Sequence, residues 1–384
     1  MLPIPYGRQT IDDEDIAGVN EVLRSDWLTT GPKIDEFERS ICRYCSCPHA
    51  VAVSSGTSAL DIAIQSLDLP KGTEVITTPF TFAATSNALL YNGLVPVYAD
   101  ISRDTRNIDP EDVRKKITEK TGAVLFVDYA GHPCDIAELQ KICKDNDLFL
   151  IEDACHALGG EYRGKKIGAL ADMTIFSFHP VKLITTGEGG MVTTSDSGRA
   201  DTLRLLRSHG IDKTSYHLSE TGSPWAYDMV ALGRNYRMTD IQAALGISQA
   251  KKIDSFVQKR TRLAHLYNDL LQGIPHIDTP VTKDGVTHAW HIYTVLLEGT
   301  VRDAVFSYLR NRDIGVNLHY IPTYHFSYYR KNHPADPSCF PVTEDVFGHI
   351  LTLPLYPGLN EEDVHLITGI LSQAISEFSP RGRV

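Results

Sequence analysis

Seven short apolar runs recur through the first half of the chain, and they constrain the fold more than any other feature. They are "AVAVSS" (50–55), "EVITT" (74–78), "LVPVYA" (94–99), "AVLFVDY" (123–129), "LFLIED" (148–153), "MTIFSF" (173–178) and "GMVTTS" (190–195). Runs that are apolar on both faces and alternate with helical patterns predict a largely parallel sheet covered by helices on either side. Such a sheet presents ligand sites at the carboxyl ends of its strands. The chain has 384 residues, too many for one small core, so two packed domains are expected.

The first helical pattern is "IDDEDIAGVNEVLRS", with Thr10 and Asp13 at capping-box spacing. A much longer one, "TDIQAALGISQAKKIDSFVQKRTRLAHLYNDLL", starts at a second capping box, Thr239 and Gln242, and carries a stripe of Leu263, Leu266 and Leu270. A pattern of that length bridges domains or bends. It puts the boundary near residue 250, with a large domain over residues 1–250 and a small one over 251–384. The tail reads as a smaller α/β unit: strand "HIYTVLL", helix "VRDAVFSYLRNRD", strand "IGVNLHYI" and a final helix from Glu361 to Phe378. The end, "SPRGRV", is expected to fray.

Charge and cysteine content narrow the function classes. A formal charge of -11 argues against a general grip on nucleic acid or an anionic membrane, and leaves room for an anionic small molecule in a local pocket. The start "MLPIPYGRQT" lacks a basic segment followed by an apolar run, and no stretch reaches membrane-spanning length. Seven cysteines, an odd number, predict a reduced cytoplasmic protein rather than a disulfide framework. "CRYCSCPH" brings Cys42, Cys45, Cys47 and His49 close together like a metal knuckle, but no second ligand pair follows at suitable spacing, so no metal is expected.

The strand ends carry the chemistry. "VAVSSGTSAL" passes from strand through Gly56 into a helix starting near Thr57 and Ser58, the form of a phosphate seat and equally of an ordinary turn with an N-cap. "LFLIEDACHA" ends a buried strand in Asp153, with His156 three residues on; such a carboxylate is costly unless it meets a cation, though it could also cap the next helix. "SFHPVKLITTGEGG" adds Ser177 and then Lys182, between an apolar run and a glycine-rich turn. Pyridoxal phosphate needs a lysine for its aldehyde, a carboxylate for its ring nitrogen and donors for its phosphate. All three are present here at strand ends. "TPFTFAAT" supplies Phe80 and Phe82 at another strand end, either of which could cover the ring.

The set "LTTGPKIDEFE", "SSGTSAL", "TPFTFAATSNALL", "DYAGHPCDI", "LIEDACHALG", "SFHPVKLITTGEGG", "GRNYRMTDIQAALG" and "LHYIPTYH" resembles the DegT/DnrJ/EryC1/StrS sugar aminotransferases, a branch of the fold-type I pyridoxal-phosphate enzymes, over nearly the whole chain. The resemblance implies a homodimeric α/β transferase, with a large mostly parallel-sheet domain sandwiched by helices and a smaller C-terminal α/β domain. It makes Lys182 the Schiff-base lysine and Asp153 the partner of the ring nitrogen. It stacks Phe82 on the ring, sets His156 (Gln in many relatives) beside the phenolic oxygen, and gives the phosphate to Gly56, Thr57 and Ser177. Asn235 would reach that phosphate from the neighbouring subunit. "IPYGRQTIDDEDI", "SDWLTTGP" and "SFHPVK" resemble the pseudaminic-acid branch, which aminates a UDP-linked 4-keto-6-deoxy-N-acetyl hexose with glutamate as donor. By that likeness Tyr6, Asp26, Trp27, Leu28, Thr29, Ser55, His319 and Tyr320 line the sugar-nucleotide pocket.

Three rivals are weighed against this. A C3 dehydratase of the same group replaces the lysine by histidine, which Lys182 contradicts. An amino-acid aminotransferase clamps the α-carboxylate with a late arginine, where this chain reads "IGVNLHYIPTYH", with Arg310 and Arg312 nearby. A regulatory homologue without catalysis would not need Lys182 and Asp153 intact.

Overall fold

A computed structural model of the chain describes residues 3–212, 225, 227–298 and 301–379. All seven apolar runs become strands of one sheet. Its spatial order is His49–Val53, Gly190–Thr194, Met173–Ser177, Phe149–Asp153, Thr121–Val127, Glu74–Thr77, Val95–Tyr98. Gly190–Thr194 runs antiparallel to both of its neighbours, and the remaining strands share one direction. The reversal has a local cause. A parallel return needs a crossover, usually helical, and no helix forms between Ser177 and Gly190.

Alternation along the strands explains why the runs are apolar on both faces. Val124, Phe126 and Leu150 point into one core with Phe37 and Ile41 of the Pro32–Cys45 helix and Leu139 of the Ile136–Asp145 helix. Ala123, Leu125 and Ile151 point into the other, against Ile62 of the Gly56–Gln65 helix, Leu89 of Ala83–Tyr91 and Leu203 of Ser197–Leu206. Cys45 and Cys47 are buried in the first core, and the Cys47 thiol donates to the Thr194 carbonyl at 3.2 Å.

The long helical pattern is two helices, Asp240–Ala250 and Ile253–Leu271, with a break at Lys251 and Lys252. Thr239 and Gln242 form the expected reciprocal cap. Ile253, Phe256 and Val257 still pack against the large sheet, whereas Leu263, Tyr267 and Leu271 enter a second core. That core lies on an antiparallel sheet of Ile277–Asp278, Tyr293–Leu297 and Ile350–Leu353, with the Arg302–Arg310 and Glu361–Phe378 helices. The N-terminal segment crosses to this side: the Ile4 amide donates to the Asp313 carbonyl, and the Tyr6 carbonyl accepts from Leu355.

Two expectations are corrected. The first helix spans Asp13–Leu23 and is capped by Asp12, whose Oδ1 accepts from the Glu14 and Asp15 amides while Asp15 bonds back; this carboxylate displaces Thr10 from the role. "IGVNLHYI" forms no strand. It makes single pairings only, Ile314 with Ile4 and Asn317 with Thr352, and then leaves the sheet. Among the described residues, no helix is long and apolar enough to cross a membrane. Apart from Ser379, the tail expected to fray lies outside the described residues.

Candidate active site

The strands that run together bring Val53, Thr77, Val127, Asp153 and Ser177 to one edge of the sheet, and the reversed strand begins there at Gly190. A cavity of about 630 Å³ opens at that edge. Of the residues singled out in the sequence, Tyr6, Ser55, Gly56, Thr57, Phe82, Asp153, His156, Ser177, Lys182, His319 and Tyr320 all line it.

Asp153 is only 4% exposed. Thr85 donates its hydroxyl to Oδ2 at 2.9 Å, and the Cys155 amide donates to Oδ1 at 3.2 Å. Thr85 is held in turn by Thr81, 2.9 Å away. No cation among the described residues comes within ion-pair distance of Asp153. A buried carboxylate so placed calls for a cationic partner, and the protonated ring nitrogen of pyridoxal phosphate is one. Lys182 follows a turn closed by its own amide bonding the His179 carbonyl. Burial pulls its ammonium below the usual lysine range, while the nearby Cys155 and Asp153 push it back up.

The phosphate seat is built from close backbone approaches. Ser55 caps the Gly56–Gln65 helix by accepting from the Ser58 amide at 3.0 Å, which leaves the Gly56 and Thr57 amides at the open end of the helix dipole. A Cβ on Gly56 would lie 2.9 Å from Cβ of Ser177, and one on Gly190 would lie 2.3 Å from the Ser55 carbonyl oxygen. Only glycine lets these strand ends close into a cradle. Amide donors, a serine hydroxyl and a helix N-terminus fit a phosphate, so the residues present suit the cofactor.

The aromatic pair separates cleanly. Phe80 is fully buried beside Tyr129, whereas Phe82 is 63% exposed on the cavity wall, its ring 6.2 Å from that of Tyr320. His319 and Tyr320, late in the chain, complete the lining. Tyr320 Oη lies 3.0 Å from Nε2 of His156, and His319 bonds Thr352 through Nδ1 at 2.9 Å and packs against Tyr6. Burial, then the Lys182 charge, holds His319 down to about 3 and His156 well below the usual histidine value. Both are neutral near pH 7.

Five expected residues do not line the cavity. Asp26, Trp27, Leu28 and Thr29 are exposed on a loop fastened elsewhere: Thr29 pairs with Thr239, and the Leu28 carbonyl accepts from the Asp240 amide. Asn235 is also exposed, paired through its backbone with Ser208. The loop thus meets the chain at Thr239 and Asp240, and Asn235 meets it at Ser208, outside the pocket.

Sequence reasoning missed Thr85, Cys155 and His291, all of which line the cavity. Thr85 lay inside a quoted motif without a role, because its bond to Asp153 spans 68 residues. His291 packs on His156 with ring centroids 4.3 Å apart. Arg310 and Arg312 do not line the cavity, and Arg312 instead stacks on Tyr308.

With this geometry in view, comparison with known proteins is direct. The DegT/DnrJ/EryC1/StrS aminotransferase family matches residues 9–372. The UDP-4-amino-4,6-dideoxy-N-acetyl-beta-L-altrosamine transaminase of Campylobacter jejuni is 40% identical over 334 residues, 85% of this chain and 86% of that one. Helicobacter pylori PseC, an aminotransferase involved in the biosynthesis of pseudoaminic acid, superposes with a TM-score of 0.92 at 34% identity, covering 98% of this chain and 100% of that one. A Streptococcus pneumoniae protein described as a sugar aminotransferase, solved in its pyridoxal phosphate form, gives a TM-score of 0.91 at 31% identity over 98% and 99% of the two chains. Strand-end lysine, buried carboxylate and phosphate cradle therefore agree with the similarity over the whole length: the chain belongs to the DegT/DnrJ/EryC1/StrS aminotransferase family and is a pyridoxal-phosphate-dependent sugar aminotransferase.

Proposed function

We propose that this enzyme transfers the amino group of glutamate to C4 of a nucleotide-linked 4-keto-6-deoxy sugar, specifically the UDP-linked N-acetyl hexose that leads to a 4-amino-4,6-dideoxy-N-acetyl-β-L-altrosamine. The observation that carries the reading is the make-up of the cavity. Asp153 and Lys182 stand beside walls of Phe82, Tyr6, His319 and Tyr320. Aromatic faces with a few hydroxyl and imidazole groups suit a sugar ring. The 40% identity to the Campylobacter transaminase supports the choice of sugar.

Bound pyridoxal phosphate supplies an electron sink for the carbon that loses its proton beside the transferred nitrogen. The protein's part follows from the residues. Asp153, which accepts from the Thr85 hydroxyl and the Cys155 amide, would hold a proton on the ring nitrogen of the bound cofactor. Lys182, whose ammonium burial holds below the usual lysine range, would carry the proton between carbons at Nζ. Gly56, Thr57, Ser177 and the Ser55-capped helix would hold the phosphate.

We further read the site as shared within a homodimer. Asn235, Trp27 and Leu28 are exposed on one subunit, and a partner's cavity is where their expected roles can be met. Residues 1–250 are taken as the cofactor-holding unit and 251–384 as the small unit. The seven unpaired cysteines fit the reducing cytoplasm.

Incubation with glutamate and the UDP-linked 4-keto-6-deoxy-N-acetyl hexose should yield the 4-amino sugar and 2-oxoglutarate in equal amounts. A parallel panel of dTDP-linked 4-ketohexoses tests the nucleotide. Efficient use of free aromatic or branched 2-oxo acids, with no turnover of any keto sugar, overturns the reading.

A further inference from the structure

His156 is gripped by two rings. Tyr320 Oη lies 3.0 Å from its Nε2, and the His291 ring packs against it at 4.3 Å. His291 is itself fixed through its backbone: its amide donates to the Ala130 carbonyl, and its carbonyl accepts from the buried Arg260 guanidinium at 3.0 Å. His156 and His291 are each 4% exposed, and each leaves Nδ1 without a partner among the described residues. The titratable groups facing His156 are Lys182, His319, His291 and Tyr320, and with burial they keep its imidazole neutral at pH 7.

A neutral imidazole carries one N–H, and the partner of one nitrogen decides which nitrogen holds it. Tyr320 Oη makes no second hydrogen bond among the described residues. Were Nε2 the donor, the hydroxyl hydrogen would be left inside the site with no acceptor. Donation from the hydroxyl to Nε2 places the imidazole hydrogen on Nδ1 and leaves that N–H as the single unmet group, where the reverse leaves two, the hydroxyl hydrogen and the Nδ1 lone pair.

We propose that Tyr320 is a positioning residue that fixes His156 as its Nδ1–H tautomer, so that His156 offers a neutral N–H to an acceptor oxygen in the cavity, such as the phenolic oxygen of pyridoxal phosphate. Its hydroxyl acts through His156, and His291 backs the ring. The inference rests on the assignment of the cofactor and not on the identity of the sugar.

The tautomer is read by nitrogen NMR of the ¹⁵N-histidine-labelled full-length chain freed of cofactor, with His156 assigned by difference from His156→Gln. The expected result at pH 7 is a protonated Nδ1 and a bare Nε2 in the wild type, and a mixture of both tautomers in Tyr320→Phe, which keeps the ring. A protonated Nε2 in the wild type, or an unchanged pure Nδ1–H form in Tyr320→Phe, overturns the proposal. A second measurement uses the reloaded enzyme and glutamate alone, following the bound cofactor's absorbance. Tyr320→Phe should slow conversion at saturating glutamate about tenfold, with the half-saturating glutamate concentration changed less than twofold. In a His156→Gln background, whose amide has no tautomer to fix, the same change should cost less than twofold. An equal tenfold loss in both backgrounds, or none in either, refutes the role. Because neither measurement uses a sugar, failure of the substrate assignment leaves both outcomes readable.

Discussion

Asp128 follows the last residue of its strand, beside Asp153, and its carboxyl faces Glu152 with both side chains fully buried. The Cys134 amide donates to Asp128 Oδ1 at 2.8 Å and the Thr174 hydroxyl to Glu152 Oε2 at 2.7 Å; the other two carboxyl oxygens, Oδ2 and Oε1, receive no donor. Two acids in this position share a proton, as close carboxylates do. Burial first, then the Glu152 charge, holds Asp128 well above the usual carboxylate range, and burial pushes Glu152 up to about 7. Both folded values are raised, so the folded chain binds more protons than the unfolded one. Stability is therefore full below the unfolded values and falls as pH rises, through about 7 for Glu152. Each group whose proton is held only in the folded state contributes a slope of about 1.4 kcal/mol per pH unit. Over the two units from pH 5 to pH 7, a group that keeps its proton only in the folded state costs at most about 3 kcal/mol. Asp128→Asn keeps the acceptor for Cys134, supplies an N–H to Glu152 and has no proton to lose. Urea unfolding from pH 5 to pH 7 should show the variant gaining on wild type, by at most about 3 kcal/mol, with unchanged m. The buried neutral histidines act in the opposite sense, losing stability as pH falls through about 6.5, but they are common to both proteins and cancel. Parallel pH profiles for the two proteins would refute the shared proton.

Three further outcomes are expected. Purified enzyme should be yellow, borohydride should fix the cofactor to the peptide containing Lys182, and Lys182→Ala should lose turnover; a reduced adduct on another lysine would remove Lys182 from its role. Asp153→Asn should still bind cofactor through the phosphate cradle yet lose at least about a hundredfold in turnover, while Thr85→Val, which removes one donor from the carboxylate, should lose roughly tenfold; near-normal rates in Asp153→Asn would exclude it as the ring-nitrogen partner. Mixing Lys182→Ala with Asn235→Ala subunits should restore one whole site per hybrid dimer if Asn235 serves its neighbour, and a hybrid no more active than the Asn235→Ala parent would refute the shared site.

Period and punctuation made the sheet legible. Each strand was apolar on both faces because each is covered on both, and a parallel order follows when helices intervene. The reversed strand was harder to read: "GMVTTS" looks like its neighbours, and only the missing helix before Gly190 shows that it must return antiparallel. "IGVNLHYI" is apolar enough for a strand, yet Asn317 is the last residue to pair before the chain turns His319 and Tyr320 into the cavity. Ile350–Leu353 went unread because four residues directly after the Pro341–His349 helix carry too short a pattern.

The site shows the same limit at finer scale. "LFLIED" places Glu152 and Asp153 side by side, and alternation sends them to opposite faces. Glu152 shares its face with Leu150 and Ala154 and ends against Thr174 and Asp128; Asp153 shares its face with Ile151 and ends against Thr85. Position at the strand end singled out Asp153, since only the last residue reaches the open edge. What anchors the Asp153 carboxylate, what leaves Glu152 short of a donor and what orients His156 all depend on partners far off in the chain: Thr85 is 68 residues from Asp153, and Tyr320 is 164 from His156. Local spacing identifies a residue that does chemistry when the backbone itself delivers it to the edge. It is silent on the residue that tunes it, because tuning depends on desolvation and on a hydrogen-bond partner that only the folded chain brings within reach.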